Sequence, residues 1–188
     1  METVNRTFMG ARTGQPLEQR ISRLEDVEAI KNLKAQYALY CDNGYDADGL
    51  VSLFVDDAAW ESNAFGTYHG KQEIHGFLTT LADESIKWAL HYMISPVVDV
   101  AEDGNSARGR WYLLELGTLV GLDNPSTRDP VIMTANYDDE FVKVDGEWKF
   151  ARVKVHFHQV SNLADGWVKQ PFRGGEGPVP GGEPSGAA

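Results

Sequence analysis

Cysteine is nearly absent: the 188-residue chain has one, Cys41. A single thiol rules out an internal disulfide framework and any multi-cysteine metal site, and it fits a reducing compartment. Basic residues are scarce too, with 17 Lys and Arg against 28 Asp and Glu and a formal net charge of −11. Nucleic-acid backbones and anionic membranes demand a basic face, so the charge argues against both as partners. A neutral or cationic small molecule, or another subunit, is expected instead. No apolar run approaches the ~18 residues of a membrane span, and METVNRTFMGARTG lacks the apolar core of a secretory signal. The expectation is a soluble, cytoplasmic protein. Also missing are G-x-S-x-G, a phosphate loop and a dinucleotide fingerprint.

What is present is a core: 42% of the residues are hydrophobic, enough for one domain of this length. The ends differ in composition. Residues 1–18 are polar and mixed, and 166–188 end in QPFRGGEGPVPGGEPSGAA, so both read as tails around a domain at 19–165. From Leu17 to Cys41, Val27, Ile30, Leu33, Tyr37 and Cys41 recur at threes and fours, which predicts an amphipathic helix closed by Asp42-Asn43-Gly44. A second helix is expected from Asp46 or Asp48, and a third in GKQEIHGFLTTLAD with Ile74, Phe77, Leu78 and Leu81 inward, with short strands around AAWES and GTYHG between them. After residue 85 the period changes from helical to alternating, in segments 87–101, 106–120, 130–144 and 147–160, and Asp145-Gly146 marks a tight hairpin. Helices followed by a long meander predict the α+β class: helices packed on one face of a bent antiparallel sheet.

One polar residue stands out in the first of these strands. In IKWALHYMISP, His91 interrupts a run that otherwise reads as buried, and a buried imidazole needs partners for its nitrogens. Either parity of that strand, Trp88-Leu90-Tyr92 or Ala89-His91-Met93, can face inward. Asp42 can deliver a carboxylate from the end of the first helix, and Tyr37 carries a hydroxyl on its apolar stripe. Read alone, Asp42 as a helix cap and Tyr37 as core account for the same pattern. Base and acid side by side are the minimal unit of proton-transfer catalysis. His156-x-His158 has no third metal ligand at a telling spacing, and the acidic run DNGYDADG fails the register of a calcium loop, so no metal site is predicted.

Five stretches carry a family resemblance: LEDVEAIKNLKAQYALYCDNGYDADGLVSLF, GTYHGKQEIHGFL, LHYMISPVVDV, GRWYLLEL and NYDDEFVKVDGEWKFARVKV. Their order and spacing resemble the SnoaL-like branch of the NTF2-like superfamily over roughly residues 20 to 160, and within it the bile-acid dehydratase, the hexachlorocyclohexane dehydrochlorinase and, more distantly, scytalone dehydratase. The resemblance implies a cystatin-like cone with three N-terminal helices and a cofactor-independent lyase, most simply a dehydratase. It implies His91 as the base, Asp42 as the residue that orients it, Tyr37 as a hydroxyl donor, and Glu115 where the dehydratase has Asp. It also implies a homo-oligomer, with a trimer favoured. The arginine that such enzymes carry on the last strand has no counterpart in direct alignment, where Val153 or Phe157 stands; only a bulge would bring Arg152 or Lys154 to that place.

The pocket wall is expected to include Trp88 or Met93, Trp111, Met133 and Phe157, an aromatic lining suited to a ring-containing, largely apolar substrate. An isomerase needs the same base and donor, and a non-catalytic binding or assembly domain is the alternative from another class.

Overall fold

The computed structural model describes residues 14–175. Helix α1 (Leu17–Asp42) is followed by α2 (Ala47–Ser52), β1 (Phe54–Ser62), β2 (Gly66–His69) and α3 (Gly70–Thr80). One wide turn, Leu81–Ser85, leads into β3 (Ile86–Val100), β4 (Ser106–Val120), β5 (Arg128–Val144) and β6 (Glu147–Asn162), and a short α4 (Gly166–Lys169) ends the described chain. The α+β class and the bent sheet beneath N-terminal helices are those the sequence predicts.

The six strands run in the order β2-β1-β6-β5-β4-β3 in an unclosed sheet. All neighbouring pairs are antiparallel except β1 and β6, which run parallel. The β5–β6 hairpin turns on Asp145 (φ 51) and Gly146 (φ 85), the left-handed pair that a two-residue turn requires. As an edge strand, β3 tolerates Pro96 at a bulge between Ile94 and Val97, where no sheet hydrogen bond is needed from it.

Alternation sorts the long strands cleanly. On β4, Ala107, Trp111, Leu113, Glu115 and Leu119 face inward, and on β5 Val131, Met133, Ala135, Tyr137, Asp139 and Phe141 do. The core is built on Phe54, Phe141 and Phe150, mutually tilted with Phe150 5.2 Å and 4.9 Å from the other two rings. Truncating such a buried ring costs about 3–5 kcal/mol. Gly109 is needed beside this cluster, because a Cβ there would lie 2.2 Å from the Trp111 ring.

The buried face of α1 departs from the expected stripe. Ile30, Lys34, Tyr37, Ala38 and Cys41 are buried, while Leu33 and Val27 are only partly so. Rotation of the face brings Lys34 onto Asp139 of β5, 2.8 Å away, with neither side chain exposed. The helix is tied at both ends. Asp26 accepts from Lys143 (2.5 Å) and from Trp148 Nε1 (2.9 Å) on the β5–β6 hairpin, and Asp42 reaches β3.

Of the residues assigned to the C-terminal tail by composition, 166–175 fold back on β6. Phe172 is buried and bridges Val160, and Arg173 pairs with Asp129 at 2.7 Å. The rest of that segment, and most of the N-terminal one, lie outside the described residues.

Candidate active site

The end of α1 determines where the site forms. The helix stops through two consecutive left-handed residues, Gly44 (φ 75) and Tyr45 (φ 55), with the Tyr45 N–H bonded to the Cys41 carbonyl and the Asp46 N–H to the Tyr40 carbonyl. Glycine takes that conformation freely, whereas a non-glycine residue there costs of order 1–3 kcal/mol. Tyr45 nonetheless adopts it, and its side chain is turned into the interior, 8% exposed. The same turn frees Asp42 to point at β3.

Asp42 meets His91 in two ways. Its Oδ1 accepts from the His91 backbone N–H at 2.9 Å and lies 2.7 Å from Nδ1 of the ring. One carboxylate oxygen therefore holds both strand and imidazole, and it selects the tautomer with the proton on Nδ1. That leaves the Nε2 lone pair on the inner side. Nε2 lies 3.3 Å from Glu115 Oε2 and 3.3 Å from the Tyr45 hydroxyl, which is itself 3.4 Å from Glu115 Oε1. Sheet register makes this possible, since His91, Glu115 and Met133 are successive partners across β3, β4 and β5.

Burial and charge act against each other here. Burial lowers the His91 imidazolium, but Glu115 and Asp42 outweigh it, so its pKa is raised above the ordinary 6.5. Burial raises the Glu115 carboxyl, against the opposing pull of His91 and Tyr45. Burial likewise holds Tyr37, Tyr45 and Tyr137 well above the usual phenol value, so all three are neutral donors near pH 7.

These groups line a narrow pocket. Its polar end carries His91, Glu115, Tyr37, Tyr45, Tyr137 and Cys41, and its apolar wall includes Trp60, Leu78, Leu81, Met133 and Phe157. Phe65, between β1 and β2, lies edge-on to Phe157 with ring centroids 5.3 Å apart. Asn63 clamps the Phe157 backbone from the same turn, accepting from its N–H (2.8 Å) and donating to its carbonyl (3.0 Å).

The expected residues separate into groups. His91, Asp42 and Glu115 come together, and Tyr37 lines the same pocket, where its hydroxyl accepts from Trp60 Nε1 at 3.0 Å. Met133 and Phe157 form wall. Met93 shares the inward parity with His91 but is not a lining residue, and Trp111 is buried beyond the pocket, beside Phe141 and Lys34. Trp88 lies on the opposite parity, 50% exposed, because β3 points His91 inward and its aromatic residues outward. On β6 a bulge between the Glu140 and Phe141 partners exists, yet Val153, Val155 and Phe157 are the inward residues; Arg152 and Lys154 pair instead with Glu61, and Arg152 also with Glu140. His156 and His158 are exposed on the outer face, ring centroids 5.6 Å apart. Among the described residues no group of three or more His, Cys, Asp or Glu is placed to hold a metal ion, and no helix is long and apolar enough to cross a membrane.

Sequence reasoning passed over Tyr45, Tyr137 and Lys34. Tyr45 did carry a signal, as the one aromatic residue in the polar turn DNGYDADG.

Comparison with known proteins agrees with this architecture. The profile of the SnoaL-like domain matches residues 22–154, and the chain belongs to that family. It is 24% identical over 132 residues to gamma-hexachlorocyclohexane dehydrochlorinase of Sphingobium indicum, covering 70% of this chain and 80% of that protein. The crystal structure of LinA superposes with a TM-score of 0.69 at 23% identity, over 78% of this chain and 95% of the other. A Novosphingobium aromaticivorans structure provisionally assigned as scytalone dehydratase gives 0.67 at 21%, over 77% and 91%. An NTF2-like protein with a cystatin-like fold from the same organism gives 0.56 at 22%, over 82% and 92%.

Proposed function

We propose that this SnoaL-like protein is a cofactor-independent lyase that eliminates water from a ring-containing, largely apolar small molecule. The observation that carries the reading is the Nε2 of His91: its ring is oriented by Asp42 from behind, and its lone pair reaches the pocket between the Tyr45 hydroxyl and the buried Glu115 carboxyl. Neutral His91 takes a proton from a substrate carbon, and Asp42 stabilises the imidazolium that forms. As the C–H bond breaks, its electrons form the new double bond and the C–O bond opens. Glu115, whose carboxyl burial pushes above the ordinary carboxylate range, gives a proton to the departing oxygen, which leaves as water. The proton on His91 then crosses the 3.3 Å to Glu115 and restores both groups. Tyr37 donates to the oxygen where negative charge grows, an interaction whose removal typically costs about 10²–10³ in kcat.

Distant homology to dehydrochlorinases is consistent with lyase chemistry. Chloride leaves without a proton, whereas hydroxide does not, and the buried acid beside the base favours an oxygen leaving group. The same contact favours isomerisation as a second reading, since Glu115 or His91 can return the proton to a neighbouring carbon.

The outer sheet face supports self-association. Trp88, Tyr92, Ile94, Tyr112 and Leu116 are each 37–55% exposed on β3 and β4, a contiguous aromatic and aliphatic surface of the kind that marks an interface. We place a homo-oligomer contact there, most simply of a trimer, in a cytoplasmic protein with its one thiol reduced.

The test is turnover of matched β-hydroxy and β-chloro cyclic compounds by the wild type beside His91→Ala. Loss of water by the wild type alone supports the reading. Release of chloride with no loss of water moves it to dehydrochlorination, and double-bond migration without loss of either group moves it to isomerisation. Equal rates in both proteins would remove His91 from the chemistry.

A further inference from the structure

Tyr45 touches both groups that exchange protons in the site. Its hydroxyl lies 3.3 Å from His91 Nε2 and 3.4 Å from Glu115 Oε1, and its ring stands edge-on to the imidazole, centroids 5.8 Å apart. A left-handed backbone delivers it there, φ 55 directly after Gly44 at φ 75, a conformation that disfavours any side chain. Phenylalanine would meet the packing need of that ring; only the hydroxyl reaches base and acid. Both contacts exceed the roughly 2.5–3.0 Å of a settled O–H bond, so neither acceptor holds the hydrogen exclusively.

Two hydrogens are distributed over these three groups. One is the phenolic hydrogen, which burial keeps on Tyr45. The other is the proton that His91 Nε2 and Glu115 Oε2 share across 3.3 Å, since the Nδ1 hydrogen is committed to Asp42. When Glu115 carries the shared proton, Nε2 offers a lone pair and the Tyr45 hydroxyl can point at it, which covers the base. When His91 carries it, Nε2 accepts nothing, and the hydroxyl turns to Glu115 Oε1, then part of a carboxylate. That second bond is the stronger, because its acceptor is charged. The direction of one O–H is thereby tied to the position of the proton. The other titratable groups that bear on the triangle are Lys34, Tyr37, Cys41 and Asp42 of α1 and Tyr137 of β5.

We propose that Tyr45 is a further catalytic residue, a two-position hydroxyl that covers the His91 base in the empty site and turns onto Glu115 when substrate displaces it. Resting on the lyase reading, the turn opens Nε2 to the substrate carbon and places a donor on the carboxylate that forms as Glu115 gives up its proton. In that step the C–H proton goes to His91 Nε2 and the C–H electrons form the double bond. The C–O pair leaves with the oxygen, the proton from Glu115 Oε2 completes the water, and Tyr45 keeps its own hydrogen throughout. The bond to Oε1 strengthens as the reaction proceeds, which is the condition for an interaction to raise kcat rather than substrate affinity. A leaving group that departs as an anion takes no proton from Glu115 and gains nothing from this bond, so the hydroxyl also tunes the site toward loss of water.

Tyr45→Phe removes the hydroxyl and keeps the ring, and its thermal midpoint should match that of the wild type. With the β-hydroxy cyclic compounds, kcat should fall about 10- to 100-fold at an unchanged or lower KM, the worth of one hydrogen bond to a charged acceptor. In the Glu115→Gln background, where no carboxylate forms, the same substitution should cost little, a non-additivity that a purely structural role would not produce. A further measurement needs no turnover: nitrogen-15 NMR of the His91 ring, its signals assigned with His91→Ala. The titration midpoint should be lower in Tyr45→Phe than in the wild type, because the carboxylate that holds the imidazolium has lost its donor. Full kcat in Tyr45→Phe, an equal loss in both backgrounds, or a midpoint that stays or rises would overturn the role. A lowered midpoint in a protein that releases no water from any of these compounds would uphold the two-position hydroxyl and remove the elimination.

Discussion

Two charged clusters lie on one face of α1, and they differ in what surrounds them. Lys34 and Asp139 are both fully buried, paired at 2.8 Å, and enclosed by the Tyr37, Trp111, Tyr137 and Phe150 rings. His91, Asp42 and Glu115 are paired at similar distances, but Asp42 keeps 21% of its side chain in solvent and the others border the pocket. The first cluster is closed: its two charges neutralise one another. The second holds two carboxyl groups against one imidazole, so a proton is shared unequally and a lone pair is available. Burial of charge therefore does not by itself mark the site; unequal numbers of acids and bases at a cavity do.

The largest effect expected from breaking the comparison falls on the closed pair. Lys34→Ala leaves Asp139 buried and unpaired, and the protein should lose about 3–5 kcal/mol in denaturant unfolding. Replacing both, as Lys34→Met with Asp139→Leu, should recover most of that loss, because a buried ion pair is often matched by apolar residues of similar size. Failure of the double variant to recover would show that the pair is more than self-neutralising.

At the open cluster the loss should appear in rate. His91→Ala is predicted to lower turnover by about 10²–10⁴, the usual worth of a general base, with a smaller loss of stability than Lys34→Ala. Unfolding curves run beside the kinetics separate the two effects.

Glu115→Gln gives a finer contrast. His91 must be neutral to act as a base, and its raised pKa places the acidic limb of kcat/KM above pH 6.5. Glu115 raises it when ionised, so the glutamine variant should shift that limb to lower pH while also slowing loss of water, for want of the acid. A limb that does not move would separate the carboxyl from the base.

The smallest effect concerns the outside of the same strand. Trp88→Lys and Tyr112→Lys should change monomer stability by no more than about 0.5 kcal/mol, leave the pocket intact and dissociate the homo-oligomer proposed above, as read by light scattering. An unchanged mass would remove this face as the contact.

How much of this was legible beforehand follows from the same contrast. His91 was visible because a polar residue broke an apolar strand, and Asp42 because a helix end frees a carboxylate. The helices and long strands followed from period and from turns such as Asp145-Gly146. Lys34 and Asp139 were hidden because each looks like an ordinary surface charge until helix rotation and strand parity are known together. Their joint signal was there: Asp139 shares the inward parity of Tyr137 and Phe141, and a buried acid needs a cation. Trp88 misled because β3 is apolar on both faces, and composition alone does not tell a pocket wall from an exposed outer face.

Proton abstraction can be measured without knowing the leaving group. The wild type, His91→Ala and Tyr37→Phe would be incubated in D2O with a cyclic ketone such as 2-tetralone, and exchange of the hydrogens alpha to the carbonyl followed by proton NMR. We predict exchange above the buffer rate with the wild type, weaker exchange with Tyr37→Phe and none above buffer with His91→Ala. Exchange as fast with His91→Ala as with the wild type, or no faster than buffer with either, would contradict the assignment of His91 as the base.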